Sequence, residues 1–129
     1  MITDPLANFI TALQNAASAG KETVLVHRSQ LKEAVATALK NAGYIADISI
    51  KGKTNNKLEA TLSYKDGVAK IHGVKRLSRP GKRMYVGVSD IKSVRQGYGH
   101  IILSTPAGVL TGGEARKKNV GGEVLFEIW

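Results

Sequence analysis

Histidines are the usual carriers of proton-transfer and metal chemistry, and His27, His72 and His100 stand far apart in this chain. None has a second histidine or a carboxylate at the spacing that puts two ligands on one helix face, so each reads as a surface or partly buried side chain. Ser104 lacks the surroundings of a hydrolase nucleophile, because Ile102 and Pro106 occupy the positions where a Gly-x-Ser-x-Gly elbow needs glycine. Gly97-Tyr98-Gly99 is followed by Ile102 where a dinucleotide fingerprint needs its third glycine, and no glycine-rich stretch ends in Gly-Lys-Ser/Thr. Gly112-Gly113 and Gly121-Gly122 read as turn glycines with positive backbone dihedrals. With no cysteine there is neither a disulfide framework nor a thiolate site. The expectation is a protein that is not an enzyme and has no catalytic residue, metal or cofactor.

Cations and hydroxyls remain. The stretch Lys75-Arg76-Leu77-Ser78-Arg79-Pro80-Gly81-Lys82-Arg83-Met84-Tyr85 has five cations, one aromatic and no acid. A charge run is usually a solvated face, but unopposed cations on one hairpin repel, and a phosphate lattice relieves that repulsion while releasing counterions. Further on, the apolar strand Gly99 to Leu103 delivers Ser104 and Thr105 into the turn Pro106-Ala107-Gly108, and Val109-Leu110-Thr111 follows. Hydroxyls both donate and accept, so such a turn suits ribose 2′-OH groups and base edges in a shallow RNA groove, and Gly108 lets the backbone approach closely. On this segment alone an ordinary β-turn is the simpler reading.

The chain of 129 residues is 43% hydrophobic, enough for one domain or two small subdomains with a real core. Lysine and arginine total 19 against 10 acids, a net charge of +9. That balance favours a polyanion as partner. Residues 1–64 hold seven of the cations and five of the acids, so most of the excess lies in the second half. No apolar stretch is long or uninterrupted enough for a membrane, and no signal-like segment opens the chain, so a cytoplasmic protein without membrane contact is expected.

These side chains need a scaffold, and the periodicity supplies one. Asp4-Pro5 reads as an N-cap and first helical position, with Leu6, Phe9, Ile10, Leu13 and Ala17 at helical spacing and Gly20 closing the helix. Thr23 to Val26 is a short strand. Ser29 caps a second helix with Leu31, Val35, Ala38, Leu39 and Ala42 on one face and Gly43 as its left-handed end. Tyr44 to Lys51 and Leu58 to Tyr64 alternate as two strands. The loop between them carries Lys51, Lys53 and Lys57, for which a solvated tip is at least as good a reading as phosphate contact; Ser29, Lys32, Lys53 and Lys57 form a secondary contact set. Asp66-Gly67 marks a boundary between subdomains 1–65 and 66–129. Beyond it, Val68 to Leu77 and Lys82 to Val88 read as a hairpin turned by Arg79-Pro80-Gly81. A short helix runs from Ser89 or Asp90 through Ile91, Val94 and Arg95 to Gly97, and His100 to Ser104 and Glu123 to Ile128 are strands. The fold class is α+β: an N-terminal α-β-α-β-β unit, then a β-rich unit with short helices.

Gly99-x-x-Ile102-Leu103-Ser104-Thr105-x-x-Gly108-Val109-Leu110-Thr111, with Ala115-Arg116 downstream, resembles the signature of the small-subunit ribosomal protein eight family. Arg76 to Tyr85 is similar to that family's central basic hairpin, Asp4-Pro5-Leu6-Ala7 to its start, and Gly121-Gly122-Glu123 to its closing strand. The resemblance covers essentially the whole chain. It implies primary binding to the central domain of 16S ribosomal RNA early in assembly, with protein five and protein twelve among the neighbouring ribosomal proteins. It also implies, for some members, binding to their own messenger RNA.

By the same resemblance Ser104, Thr105, Pro106, Gly108 and Thr111 fall on the RNA-reading loop, with Tyr85 and Glu123 approaching the same RNA helix. Arg76, Arg79, Lys82, Arg83, Arg116, Lys117 and Lys118 then neutralise phosphate, positioning the protein while the hydroxyls discriminate. Two departures stand out. Pro106-Ala107 replaces the serine followed by lysine or glutamine of many members, and Thr11 to Asn15 lacks the arginines common in the first helix, which shifts the weight of recognition to the second half. The alternatives are a general nucleic-acid-binding architectural or regulatory protein, for which no helix-turn-helix, zinc or minor-groove arm pattern speaks, and an RNA-cleaving enzyme, for which there is no carboxylate pair. DNA is not an expected partner.

Overall fold

A computed structural model describes residues 5–79, 81–91 and 99–129. These form two compact units, Pro5–His72 and Gly73–Trp129.

In the first unit the order is α1 (Pro5–Ser18), β1 (Thr23–His27), α2 (Gln30–Ala42), β2 (Ile45–Lys51) and β3 (Lys57–Leu62). Helix α1 buries Leu6, Phe9, Ile10 and Leu13, the face its spacing predicts; the Asp4 cap lies outside the described residues. Helix α2 is held at both ends as expected, with Ser29 Oγ accepting the Lys32 N–H and Gly43 in the left-handed region at φ 92°. The strands form an antiparallel sheet in the order β1-β3-β2. Along β3, Leu58, Ala60 and Leu62 are buried while the residues between them are not, as a one-sided sheet requires. Burial also pushes the Tyr44 phenol above its ordinary pKa. Asp66-Gly67 turns β4 (Tyr64–Lys65) into β5 (Val68–Ala69) within this unit.

The expected strand from Val68 to Leu77 is broken. β5 ends at Ala69, and β6 spans Val74–Arg76. Gly73 lies between them against the indole of Trp129, where a Cβ would meet the ring at 2.6 Å, and the two residues exchange backbone hydrogen bonds of 3.0 Å.

The second unit continues with β7 (Tyr85–Val86), a 3₁₀ turn at Val88–Asp90, β8 (His100–Thr105), β9 (Gly108–Thr111), α3 (Gly112–Lys117) and β10 (Gly122–Ile128). Its sheet runs β6-β10-β8-β9, and β7 also pairs with β10. Leu103, Leu110 and Val124 form the core of one face with Ile91 and Ala115. The expected helix through Ile91 is not helical at its start: Ile91 is extended (φ −74°, ψ 116°) because its side chain is needed in that core. Val94, Arg95 and Gly97 lie outside the described residues.

The expected hairpin also differs. β6 and β7 do not pair with each other; both lie on the same edge of β10, β6 against Phe126 to Ile128 and β7 against Gly122 and Glu123. They are one interrupted edge strand, and Arg79 and Gly81 to Arg83 lie outside its pairing with β10. Arg79 and Lys82 close the loop through reciprocal backbone bonds of 2.9 and 3.0 Å. Pro80 lies outside the described residues.

Candidate RNA-binding surface

The loop leaves and rejoins the sheet at one point. Val124 accepts the Ser78 N–H with its carbonyl and donates its own N–H to Met84 O. Ser78, fully buried, ties the two ends: its Oγ accepts the Met84 N–H at 3.0 Å and donates to Glu123 Oε2 at 2.5 Å. Glu123, with a side chain 13% exposed, also accepts from Arg83 Nη1 at 3.2 Å. A carboxylate largely withdrawn from water needs such partners, and this one uses them to fix the root of a cationic loop. Arg79, Lys82 and Arg83 are thereby held outward on a short, closed excursion, all exposed.

Glu123 is also the centre of a row. It pairs with Tyr85 on β7 and with Ser104 on β8, and Ser104 pairs with Val109 on β9. Directly opposed residues of antiparallel strands project from the same face. The row thus sets Tyr85, 69% exposed, and Ser104 on one face, opposite the core residues Leu103, Leu110 and Val124. Glycines make this convergence possible. A Cβ on Gly122 would lie 2.1 Å from Ser104 O, and one on Gly121 would lie 2.3 Å from Val86 O. Both doublets were expected to be turn glycines of positive φ, and neither is: among the described residues the positive-φ glycines are 20, 43, 52, 67 and 108. Gly121 and Gly122 are needed for close backbone approach, and Gly112 for the side chains of Ile101 and Ile91, 2.6 and 3.0 Å from its missing Cβ.

The expected hydroxyls divide by role. Thr105 Oγ1 donates to Gly108 O at 2.7 Å and accepts the Ala107 N–H at 3.1 Å, locking the turn in which Gly108 has φ +114°. The Ser104 hydroxyl makes no hydrogen bond among the described residues and stays available. Pro106, Ala107 and Gly108 are exposed at the tip. Thr111, expected on the recognition loop, is 6% exposed and serves as the N-cap of α3: its hydroxyl accepts the Glu114 N–H, and Glu114 Oε1 accepts the Thr111 N–H. This reciprocal capping box, Thr111-x-x-Glu114, is the signal from which α3 could have been found.

Among the expected phosphate contacts, Arg76 donates to Leu125 O at 2.6 Å and is partly buried, so it serves the sheet edge. Arg116 reaches Ile91 O at 3.0 Å, while Lys117 and Lys118 are exposed at the end of α3. In the first unit Ser29 is occupied as the α2 cap, Lys32 Nζ donates to His27 O at 3.2 Å, and Lys57 Nζ lies 3.4 Å from the His27 ring. Lys53 is exposed on the β2–β3 loop. Among the described residues no three of His, Cys, Asp and Glu could together hold a metal ion, and no helix is long and apolar enough to cross a membrane.

The family model described as Ribosomal protein S8 matches residues 4–129. The chain belongs to the ribosomal protein S8 family. Relatives named small ribosomal subunit protein uS8 align along its whole length: 46% identical in Nitratidesulfovibrio vulgaris, 47% in Oleidesulfovibrio alaskensis and 43% in Mycoplasma mobile. Each alignment covers the entire chain and at least 98% of the relative. In this S8-family chain the basic loop, the Tyr85–Glu123–Ser104 row and the Thr105–Gly108 turn all belong to the Gly73–Trp129 unit.

Proposed function

We propose that the Gly73–Trp129 unit reads the central domain of 16S ribosomal RNA, with Ser104 and the exposed turn 106–108 as the discriminating elements and the loop 79–83 as the phosphate clamp. As an S8-family member the chain is a structural constituent of the small ribosomal subunit, not an enzyme; it binds ribosomal RNA on the cytoplasmic ribosome among other small-subunit proteins. The observation that carries the finer reading is the row Tyr85–Glu123–Ser104. It sets an aromatic ring and an unengaged hydroxyl on one face, with a cationic loop rooted at the middle residue.

Tyr85 offers a ring for stacking on an unpaired base, and Ser104 offers both donor and acceptor to ribose or a base edge. Glu123 acts by positioning, since its carboxylate is already engaged by Ser78 and Arg83. Arg79, Lys82, Lys117 and Lys118 neutralise phosphate. Thr111, Thr105 and Arg76 support the surface from within. Ser29, Lys32, Lys53 and Lys57 form a weaker contact in the first unit, in which Lys53 is the side chain most available to phosphate. Proteins five and twelve as neighbours, and the protein's own messenger RNA as a second ligand, complete the proposal.

Footprinting the purified protein on full-length small-subunit rRNA tests it. Protection confined to the central domain is expected, and protection elsewhere contradicts the reading.

A further inference from the structure

Among the described residues β1 pairs only with β3, which leaves its other side as an open edge of the first unit's sheet. Glu22 O accepts the Leu62 N–H and Arg28 N–H donates to Asn56 O, so even-numbered residues 22 to 28 direct their backbone groups toward β3. Thr23 and Leu25 direct theirs away. Among the described residues nothing satisfies those groups, and the Leu25 side chain is 57% exposed. Beside this edge runs a groove of about 410 Å³, lined by Ala12, Ala16 and Ala19 of α1 together with Lys21 and the start of β1.

We infer that this edge takes one extended polypeptide strand from a neighbouring small-subunit protein, added to the sheet beyond β1 with a carboxylate set against Lys21. A strand supplies N–H and C=O groups at the two-residue repeat that Thr23 and Leu25 present, and an unpaired edge is a ready template for it. The alanines leave room for its side chains, and Leu25 offers it apolar area. Lys21 is the one charged residue lining the groove, too little for a phosphate lattice. A second copy paired antiparallel through Thr23 and Leu25 would set Lys21 opposite His27 of the other copy, a cation facing a cation-bearing end of the sheet. The inference rests on membership of the small subunit, and on nothing in the RNA-reading surface.

The chain has no cysteine, so Ala19→Cys puts a single benzophenone label at the groove. The labelled full-length protein is assembled into reconstituted small subunits and irradiated, and amide exchange across residues 23–25 is compared with that of the protein bound to rRNA alone. Expected are a crosslink to one protein, mapping to a single extended segment that contains a carboxylate, and exchange slowed roughly tenfold or more in the subunit. Leu25→Pro removes an outward N–H and spares the β3 ladder; it is expected to abolish the slowing while leaving affinity for an rRNA fragment unchanged. Leu25→Lys, which folds on any exposed edge, repeats the measurement by charge. A crosslink to RNA or to a second copy, or unslowed exchange in subunits that contain the protein, overturns the inference and leaves the ribosomal reading standing. Failure of the labelled protein to sediment with the subunit overturns both.

Discussion

Ser78 donates its buried hydroxyl to Glu123 at 2.5 Å, and this bond sits where the cationic loop 79–83 departs from and returns to the sheet. A side chain with no contact to solvent thereby fixes the presentation of exposed arginine and lysine residues.

Ser78→Ala removes the donor to Glu123 and the acceptor of the Met84 N–H together. Leaving buried polar groups unpaired costs about 1–3 kcal/mol, so thermal unfolding should shift down accordingly. RNA affinity should fall as well, while the slope of log K against log salt stays the same, because no phosphate-binding cation has been lost. A reduced slope would show that Ser78 acts otherwise.

Lys82→Ala and Glu123→Gln should move binding in opposite directions. Removing Lys82 lowers affinity for every RNA and reduces the salt slope by about one. Neutralising Glu123 releases Arg83 from its 3.2 Å ion pair and raises non-specific RNA affinity, while the loop loses its anchor. Filter binding from low to high salt on a cognate and an unrelated RNA separates the two.

The glycines separate by environment. Gly122→Ala drives a Cβ into Ser104 O, a backbone atom that cannot step aside, and should cost roughly 1–3 kcal/mol or more together with the alignment of β7, β10 and β8. Gly113→Ala meets nothing within 4 Å in the first turn of α3 and should stabilise by about 0.5 kcal/mol. Chemical denaturation of the two variants checks both signs.

Where the sequence carries a local code, the fold is legible from it. Ser29 and Gly43 state the ends of α2, and alternation states β3, because each depends on neighbours in sequence; at the start of β2 a register shift between Ile45 and Asp47 buries Ile45 and exposes Ala46, against the expected alternation. The departures arise from tertiary partners that no local pattern reveals. A basic stretch bounded by β-forming residues reads as a hairpin, yet β10 captures both of its arms and leaves Arg79, Lys82 and Arg83 outside the ladder. Gly121-Gly122 reads as a turn, yet its role is set by the carbonyls of Val86 and Ser104. Helix α3 was legible in Thr111-x-x-Glu114 and was masked by the glycines between them. At the candidate site, the hydroxyl turn is visible in sequence, whereas the separation of Ser104, unengaged, from Thr105 and Thr111, both internally bonded, appears only in the structure.

That separation gives the most direct measurement. Ser104→Ala should leave unfolding within about 0.5 kcal/mol of the unaltered protein, whereas Thr105→Ala loosens the turn by about 1 kcal/mol. The double variant is compared with the unaltered protein on a central-domain rRNA fragment and on an unrelated RNA of equal length. The account predicts a large loss of affinity for the fragment and almost none for the unrelated RNA. Equal losses on both would contradict it.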